Sequence, residues 1–345
     1  MRNRKIFNII IITLLAGLFL VFISSMFTGS VKIPFKEIFR ILTGGEAGKY
    51  SWGIIILQSR LPQAITAMFA GAALAVSGLM LQTIFKNPLA GPSILGIEAG
   101  ASLGVALVML FLGGTIGGSM INVTLTGYMA IVTGAIIGAA LVLGIIIFFS
   151  TLVRSNIMLL IIGIMLSYIT SSIISLLNYF ASAEGVFSYT IWGMGNFTNV
   201  SMTQIPLFCG LISIGLGISV ILVKPLNALL LGDFYAKNLG VKVSRVRCLL
   251  LVSTGILTAV TTAFCGPVSF IGLAVPHIAR LIIGSSNHKI LLPVTILTGS
   301  FMALICNLIS TMHTKAGMIP LNAITPIFGV PVILYVIISQ KKFQN

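Results

Sequence analysis

The residues that could carry out chemistry are few in this chain and lie far apart. Its 345 residues include five Asp and Glu, three His and four Cys. Cys209, Cys248, Cys265 and Cys306 lie inside or beside apolar stretches, with no C-x-x-C pair and no clustered His or acid, so we interpret them as small core residues. Because no acid–base pair is indicated either, we expect no enzymatic activity, no metal site and no cofactor.

One segment, Gly44-Gly-Glu-Ala-Gly-Lys49, looks superficially like a phosphate-binding loop. That loop needs glycine where Thr43 stands, and it needs Ser or Thr where Tyr50 stands. The sequence therefore predicts that the chain has no ATP site of its own.

The elements that must position these residues are long apolar segments. Hydrophobic residues make up 57% of the chain and charged residues only 7%, whereas a soluble domain carries about 25% charged residues. The apolar residues form continuous blocks rather than the alternating pattern of an outer-membrane barrel, which favours helices. We predict an all-α polytopic protein of the bacterial cell membrane. The net charge of +15 comes from Lys and Arg between the blocks, so we expect no nucleic-acid partner.

About ten blocks have a length near the ~20 residues that a membrane span needs. With the N-terminus inside, most of the basic residues fall on the cytoplasmic side, as the positive-inside rule requires. Pro267 indicates a break between the seventh and eighth spans, where the apolar run is nearly continuous. The predicted spans are 6–28, 61–85, 93–112, 121–150, 156–180, 203–223, 246–265, 267–284, 291–310 and 319–339.

The most polar segment on the predicted cytoplasmic side runs from about 225 to 245. In it, Leu229 and Leu231 precede Gly232, and Asp233 can cap a second short helix that ends at Gly240. A short amphipathic helix pair of this kind could seat in a groove on a partner protein. The alternative is an interfacial loop that rests on anionic lipid headgroups.

This segment resembles the cytoplasmic coupling loop of the FecCD family of permeases, typified by vitamin B12 and ferric siderophore importers. The resemblance extends from Arg60 to the C-terminus. The residues that carry it are Leu231-Gly232, Ala236, Leu239-Gly240-Val241 and Arg247, with Arg60-Leu-Pro62, Asn87-Pro-Leu-Ala90, Trp192-Gly-Met-Gly-Asn-Phe197, Gly266 to Arg280, His288 and Leu291-Leu-Pro293.

The resemblance implies the fold of a type II ABC importer permease, with residues 1–345 forming one transmembrane domain. It also implies three partners: a second permease subunit, ATP-binding subunits below, and an extracytoplasmic substrate-binding protein above. The first expectation for the substrate is a ferric siderophore, with haem, cobalamin or a metal oxyanion as alternatives. The residues expected to couple to the ATPase are Leu229, Leu231, Gly232, Asp233, Ala236, Leu239 and Gly240.

The resemblance also implies sites on the outer face and along the path. Arg60 matches a basic position that docks the binding protein. At a second such position Thr311 replaces the usual arginine, with Lys315 and His313 as the nearest cations, and Lys315 is the residue expected to dock there. This departure suggests one half of a heterodimer, although a homodimer stays open. Ser167, Ser171 and Asn178, four and seven residues apart on the fifth span, are expected near the translocation path.

Several polar residues keep a second interpretation. The three residues of the fifth span could instead bond neighbouring helices. His277 has no acid beside it, which favours a packed structural histidine over a ligand or proton relay. Glu98 needs solvent or a cation such as Lys86. An ion-driven secondary transporter is the alternative from another class, but the spans lack the chain of acids that proton coupling needs.

Overall fold

The fold is described by a computed structural model for residues 2–112, 125–153, 155–312 and 318–342. Throughout these residues the regular elements are helical. The α-helices are α1 (Arg2–Phe27), α2 (Phe35–Leu42), α3 (Tyr50–Ile54), α4 (Leu61–Phe85), α5 (Ile97–Ala106), α6 (Leu125–Leu152), α7 (Asn156–Phe180), α8 (Ala183–Gly193), α9 (Ile205–Ile221), α10 (Val223–Leu230), α11 (Asp233–Asn238), α12 (Val243–Cys265), α13 (Ile271–Ile283), α14 (His288–Ser310) and α15 (Leu321–Lys342).

Each of the ten predicted spans coincides with one of these helices, so the predicted fold class is confirmed. Among the described residues, six helical stretches are long and apolar enough to cross a membrane, and α9 joined to α10 across a 51° bend makes a seventh. The stretches Ile97–Phe111, Ile271–Ile283 and Leu321–Val336 are apolar but shorter. The chain is a multi-pass membrane protein.

Two predicted spans begin later than the apolar pattern suggested. The third was placed from residue 93, but a 3-10 turn occupies Pro92–Leu95 and α5 starts at Ile97. The eighth was placed from residue 267, but α13 starts only at Ile271. In both places the residue immediately before the helix has a left-handed backbone, Gly96 with a φ of +75° and Phe270 with a φ of +67°, so the right-handed helix can begin only after it.

Helix α4 is the centre of the molecule. In the stretch Tyr50–Phe85, 83% of the most apolar 18-residue window is buried. The corresponding buried share in α7 is 22%. Glycines allow the neighbours of α4 to approach closely: a Cβ atom on Gly78 would overlap the carbonyl oxygen of Gly272 in α13, and one on Gly71 would overlap that of Gly299 in α14. Any side chain at these positions would force the helices apart.

The break before α13 forms a turn of residues 266–270. Gly266 has a φ of +74°, and Phe270 adopts a φ of +67°, which is rare for a residue with a side chain. The backbone groups freed here find partners within the protein, as lipid requires. Asn322, in the first turn of α15, donates to the carbonyls of Pro267 (2.8 Å) and Gly193 (3.1 Å), and it accepts from the amide of Ser269 (3.0 Å).

Candidate functional site

The predicted cytoplasmic segment forms two short helices joined by a sharp turn. Helix α10 ends at Leu230, and Gly232, with a φ of +108°, turns the chain into α11. A second glycine, Gly240, has a φ of +80° and ends the turn after α11. Because L-residues rarely adopt such angles, the two glycines fix the geometry of this helix–turn–helix segment.

The seven predicted coupling residues divide into an inner and an outer group. Leu229 and Ala236 are buried and anchor α10 and α11 to the body of the protein. Leu231 and Leu239 are 63% and 66% exposed, and they lie on the surface with Phe234 and Tyr235. We call these four exposed residues, Leu231, Phe234, Tyr235 and Leu239, the coupling patch. Sequence reasoning missed the two aromatic residues.

Asp233 does not cap α11 with its side chain, so that prediction was wrong. The cap position is Gly232, and Asp233 is the first residue of the helix. Its carboxylate lies 3.2 Å from Lys86 Nζ and 3.6 Å from the guanidinium of Arg247. A residue in the first helical position lies past the cap, and the ion pairs connect its side chain to Lys86, which ends α4, and to Arg247 of α12.

Lys86 therefore pairs with Asp233. It does not pair with Glu98, for which the sequence analysis named it as a possible partner. Lys86 is the residue that ends α4 in a left-handed conformation, φ +50°. Glu98 is buried in the first turn of α5, where the helix dipole favours a negative charge. Its Oε1 has no hydrogen-bond partner among the described residues.

His277 has the packed, hydrogen-bonded environment expected of a structural histidine. It is buried in α13, and its Nε2 lies 2.7 Å from the carbonyl oxygen of Pro88, just after α4. A carbonyl only accepts, so Nε2 carries the proton in this bond.

Arg60 lies at the outer end of α4, where the sequence placed it, but its side chain is directed inward. It is buried, and its guanidinium donates to the backbone carbonyls of Met26, in the last turn of α1, and of Val31, in the loop that follows. Docking through Arg60 stays a prediction that requires this loop to open. Lys315 lies outside the described residues.

The three predicted path residues lie along α7, a spanning helix that is largely exposed in the isolated chain. Ser167 donates to the carbonyl of Gly163 in its own helix and lies against Gly96. Ser171 is exposed, and Asn178 is half-buried. Large apolar side chains such as Tyr168 and Leu176 are exposed beside them. A path, lipid or another subunit must cover this surface.

A further residue that sequence reasoning missed is Asn322. It brings together three segments that are distant in sequence: the end of α8, the turn before α13 and the start of α15. The main chain adds to this junction, because the amide of Leu321 donates to Gly195 and the amide of Asn322 donates to Met194. The only signal in the sequence was a polar residue at the start of an apolar helix.

These features define a class. Closely packed spanning helices, a turn that separates α12 from α13, and a helix–turn–helix on the predicted cytoplasmic side with an exposed apolar patch are those of a permease subunit of an ABC importer. The chain belongs to the FecCD transport family, whose profile matches residues 17–339.

Individual relatives agree with this assignment. The chain is 33% identical to the vitamin B12 import system permease protein of Klebsiella pneumoniae subsp. pneumoniae over 84% of this chain and 83% of the relative. It is 32% identical to that of Citrobacter koseri over 84% of each chain. An ABC transporter described as of metal-chelate type, solved in an inward-facing conformation, matches with a TM-score of 0.83 and 29% identity over 96% of this chain and 99% of that chain.

A second solved structure shares the fold at a greater distance. It is PsaBC from Streptococcus pneumoniae in complex with Fab, with a TM-score of 0.51 and 17% identity over 80% of this chain and 90% of that chain.

Proposed function

We propose that this permease moves a metal chelate inward, driven by separate ATP-binding subunits and supplied by an extracytoplasmic substrate-binding protein. The coupling patch carries the proposal. It exposes two leucines and two aromatic side chains on a polar segment, whereas Leu229 and Ala236 hold the same segment firmly to the body. Aromatic and aliphatic anchors of this kind are typical of the centre of a protein interface.

The absence of a nucleotide-binding motif supports the same proposal. Active import needs energy, and the one candidate loop, at Gly44 to Lys49, lacks two residues that phosphate binding requires. The energy must then enter through contact with another subunit. The coupling segment is a short and firmly anchored element that could receive it.

The exposed surfaces of α7 and α15 support pairing with a second permease subunit. Tyr168 and Leu176 on α7, and Ile327 and Tyr335 on α15, are more than half exposed in the single chain. An interface between two permeases would cover part of this surface and place Ser167, Ser171 and Asn178 near a shared path. The second subunit can be a copy of this chain or a related one.

For the substrate we propose cobalamin, with a ferric siderophore, the first expectation from the sequence, as the second candidate. The two relatives named above, at 32% and 33% identity, are vitamin B12 permeases, and this favours cobalamin. The solved neighbour at 29% identity is described as of metal-chelate type, and this fits either substrate. Both are bulky metal chelates, so the same scaffold could pass either one.

Uptake by reconstituted transporter tests the proposal. The permease is co-expressed with a candidate ATP-binding subunit and a candidate substrate-binding protein from the same organism, and proteoliposomes are given ⁵⁵Fe-loaded siderophore or ⁵⁷Co-cobalamin. We expect ATP-dependent uptake of one of them. Replacing Leu231 and Leu239 together by Ala should reduce uptake about tenfold or more, because truncating two central anchors costs ~2 kcal/mol or more.

Leu249→Ala is the matched control. Leu249 is an exposed leucine on α12, outside the coupling patch, and its truncation should leave uptake unchanged. Uptake driven by an ion gradient without the ATP-binding subunit would contradict the proposal and favour a secondary transporter.

A further inference from the structure

Several polar contacts converge on the last turn of α4, at the predicted cytoplasmic end. Within five residues, Gln82, Thr83 and Lys86 each bond to a different part of the protein. The partners belong to α13, α14 and α11 respectively. In a largely apolar protein, this concentration of polar contacts indicates a specific role for the turn.

The buried part of this junction is a chain of three side chains. Asn227 of α10, in the coupling segment, lies 3.0 Å from His288 Nδ1, and His288 Nε2 lies 2.9 Å from the hydroxyl of Thr83. His288 is 1% exposed. Its imidazole therefore connects the coupling segment directly to α4.

The hydrogen-bond donors and acceptors fix the orientation of the Asn227 and His288 side chains. The backbone amide of His288 donates to Asn227 Oδ1 over 2.8 Å, so that oxygen, and not the amide nitrogen, faces the histidine. Nδ1 must then carry the ring proton in order to bond the same oxygen. In the neutral ring Nε2 can accept from the Thr83 hydroxyl, whose single proton has a second acceptor at 2.9 Å in the carbonyl oxygen of Leu79. Asn227 Nδ2 donates to Asn287 Oδ1 over 2.9 Å. Each polar atom named here has a partner.

A second contact runs over the surface. The Asp233 carboxylate of α11 meets Lys86, the residue that ends α4. Both side chains are more than a third exposed, so this ion pair is weak and screened by salt. The buried histidine contact is the stronger of the two links between the coupling segment and α4.

The same turn of α4 is also bonded to α13. Gln82 Oε1 accepts from Arg280 over 2.7 Å, and Gln82 Nε2 donates to the carbonyl of Leu273 over 3.1 Å. His277 of α13 bonds the carbonyl of Pro88 immediately after the turn. Helix α13 follows the turn of residues 266–270 and packs against α15. Displacement of the last turn of α4 would therefore act on α13.

We propose that His288 is a positioning residue that makes α10, α4 and α13 move as one unit. Motion imposed on the coupling segment passes through Asn227, His288 and Thr83 to the end of α4, and from there through Gln82 to α13. This inference rests on the proposed function, because it assigns the route by which an ATP-binding subunit acts on the spanning helices.

Hydrogen–deuterium exchange by mass spectrometry on the complete complex tests this route. The permease is purified in nanodiscs with its ATP-binding subunit, and amide exchange is compared without nucleotide and with ATP and vanadate. In the wild type we expect ATP to change exchange both in residues 223–240 and in residues 271–283. Thr83→Val and His288→Asn should retain the first change and reduce the second by about threefold to tenfold.

The variants separate a relay from mere stabilisation. Asparagine at 288 can keep the bond to Asn227 but cannot reach Thr83, and Thr83→Ser keeps the hydroxyl, so Thr83→Ser should restore the α13 response. In the His288→Asn background, Thr83→Val should add nothing, because the contact is already lost. Thr254→Val is the control, since Thr254 is a buried threonine that donates to the carbonyls of Leu250 and Leu251 in its own helix.

The outcomes distinguish this inference from the proposed function. If the wild-type permease does not bind an ATP-binding subunit, the proposed function fails and the route with it. If the complex forms, but the variants keep the full ATP response in α13, the proposed function stands and the inference is overturned. Equal losses in the coupling segment and in α13 would also overturn it, because they would indicate general destabilisation.

Discussion

The two ends of the molecule are held together in different ways. At the predicted outer end, Asn322 bonds three main-chain groups, and Gly195 and Gly266 bring the backbones of two segments into close contact. At the predicted cytoplasmic end, the contacts run mainly between side chains of separate helices, through Thr83, His288 and Gln82. Contacts between backbones leave little freedom, whereas side-chain contacts can shift with the helices that carry them.

This difference suggests a division of roles. The outer junction would act as the fixed end of the helix bundle, and the cytoplasmic junction as the end that an ATP-binding subunit moves. Substitutions at the outer junction should then lower stability most, and substitutions at the cytoplasmic junction should affect the response to ATP more than stability. Three substitutions test this comparison.

Asn322→Ala should have the largest effect on stability. It removes the partners of the Ser269 amide and of the Pro267 and Gly193 carbonyls, and an unpaired buried backbone group costs about 1–3 kcal/mol. We expect the free energy of unfolding to fall by roughly 3 kcal/mol, measured by chemical denaturation in detergent. Asn199→Ala, a half-buried asparagine on the same side, is the control. Equal stability of the two variants would contradict a special role for the outer junction.

Gln82→Leu should have a smaller effect. The substitution removes the bonds to Arg280 and to the Leu273 carbonyl, but Arg280 is half-buried and can turn toward water. We expect a loss of about 1.5 kcal/mol in unfolding free energy, measured in the same way. Gln58→Leu, in an exposed position, controls for the change of residue type. A loss larger than that of Asn322→Ala would reverse the proposed order of the two junctions.

Lys86→Met should have the smallest effect. It removes the ion pair with Asp233, which is worth only about 0.5 kcal/mol because both groups are exposed. High salt should have a similar effect on the wild type, since it screens exposed charges. Lys86→Arg retains the charge and serves as the control in a salt titration of stability. A loss above ~1 kcal/mol would show that the surface pair, and not His288, is the main link.

The ten spanning segments were predictable from the sequence, because lipid demands long apolar helices and each one leaves a continuous block of residues. The position of the coupling segment was predictable for the opposite reason, since a polar segment between such blocks cannot enter the membrane. The predicted set of coupling residues includes both buried and exposed side chains, and the sequence alone did not separate Leu229 from Leu231 by burial.

The partners of polar residues were not predictable. Asp233 bonds Lys86 across 147 positions of the sequence instead of capping its own helix. Asn322 and His288 bond residues that local pattern does not connect with them, and their roles follow only from tertiary packing. Arg60 shows the same limit, because its position at the outer end was predicted and its inward direction was not.

The most direct test of the account is the affinity of the ATP-binding subunit for the permease. Permease in nanodiscs is titrated with fluorescently labelled ATP-binding subunit, using the wild type and the Leu231→Ala, Leu239→Ala double variant. We predict that the double variant binds about tenfold more weakly or worse, because it loses two exposed anchors of the interface. Unchanged affinity of that variant would contradict the claim that this surface receives the ATP-binding subunit.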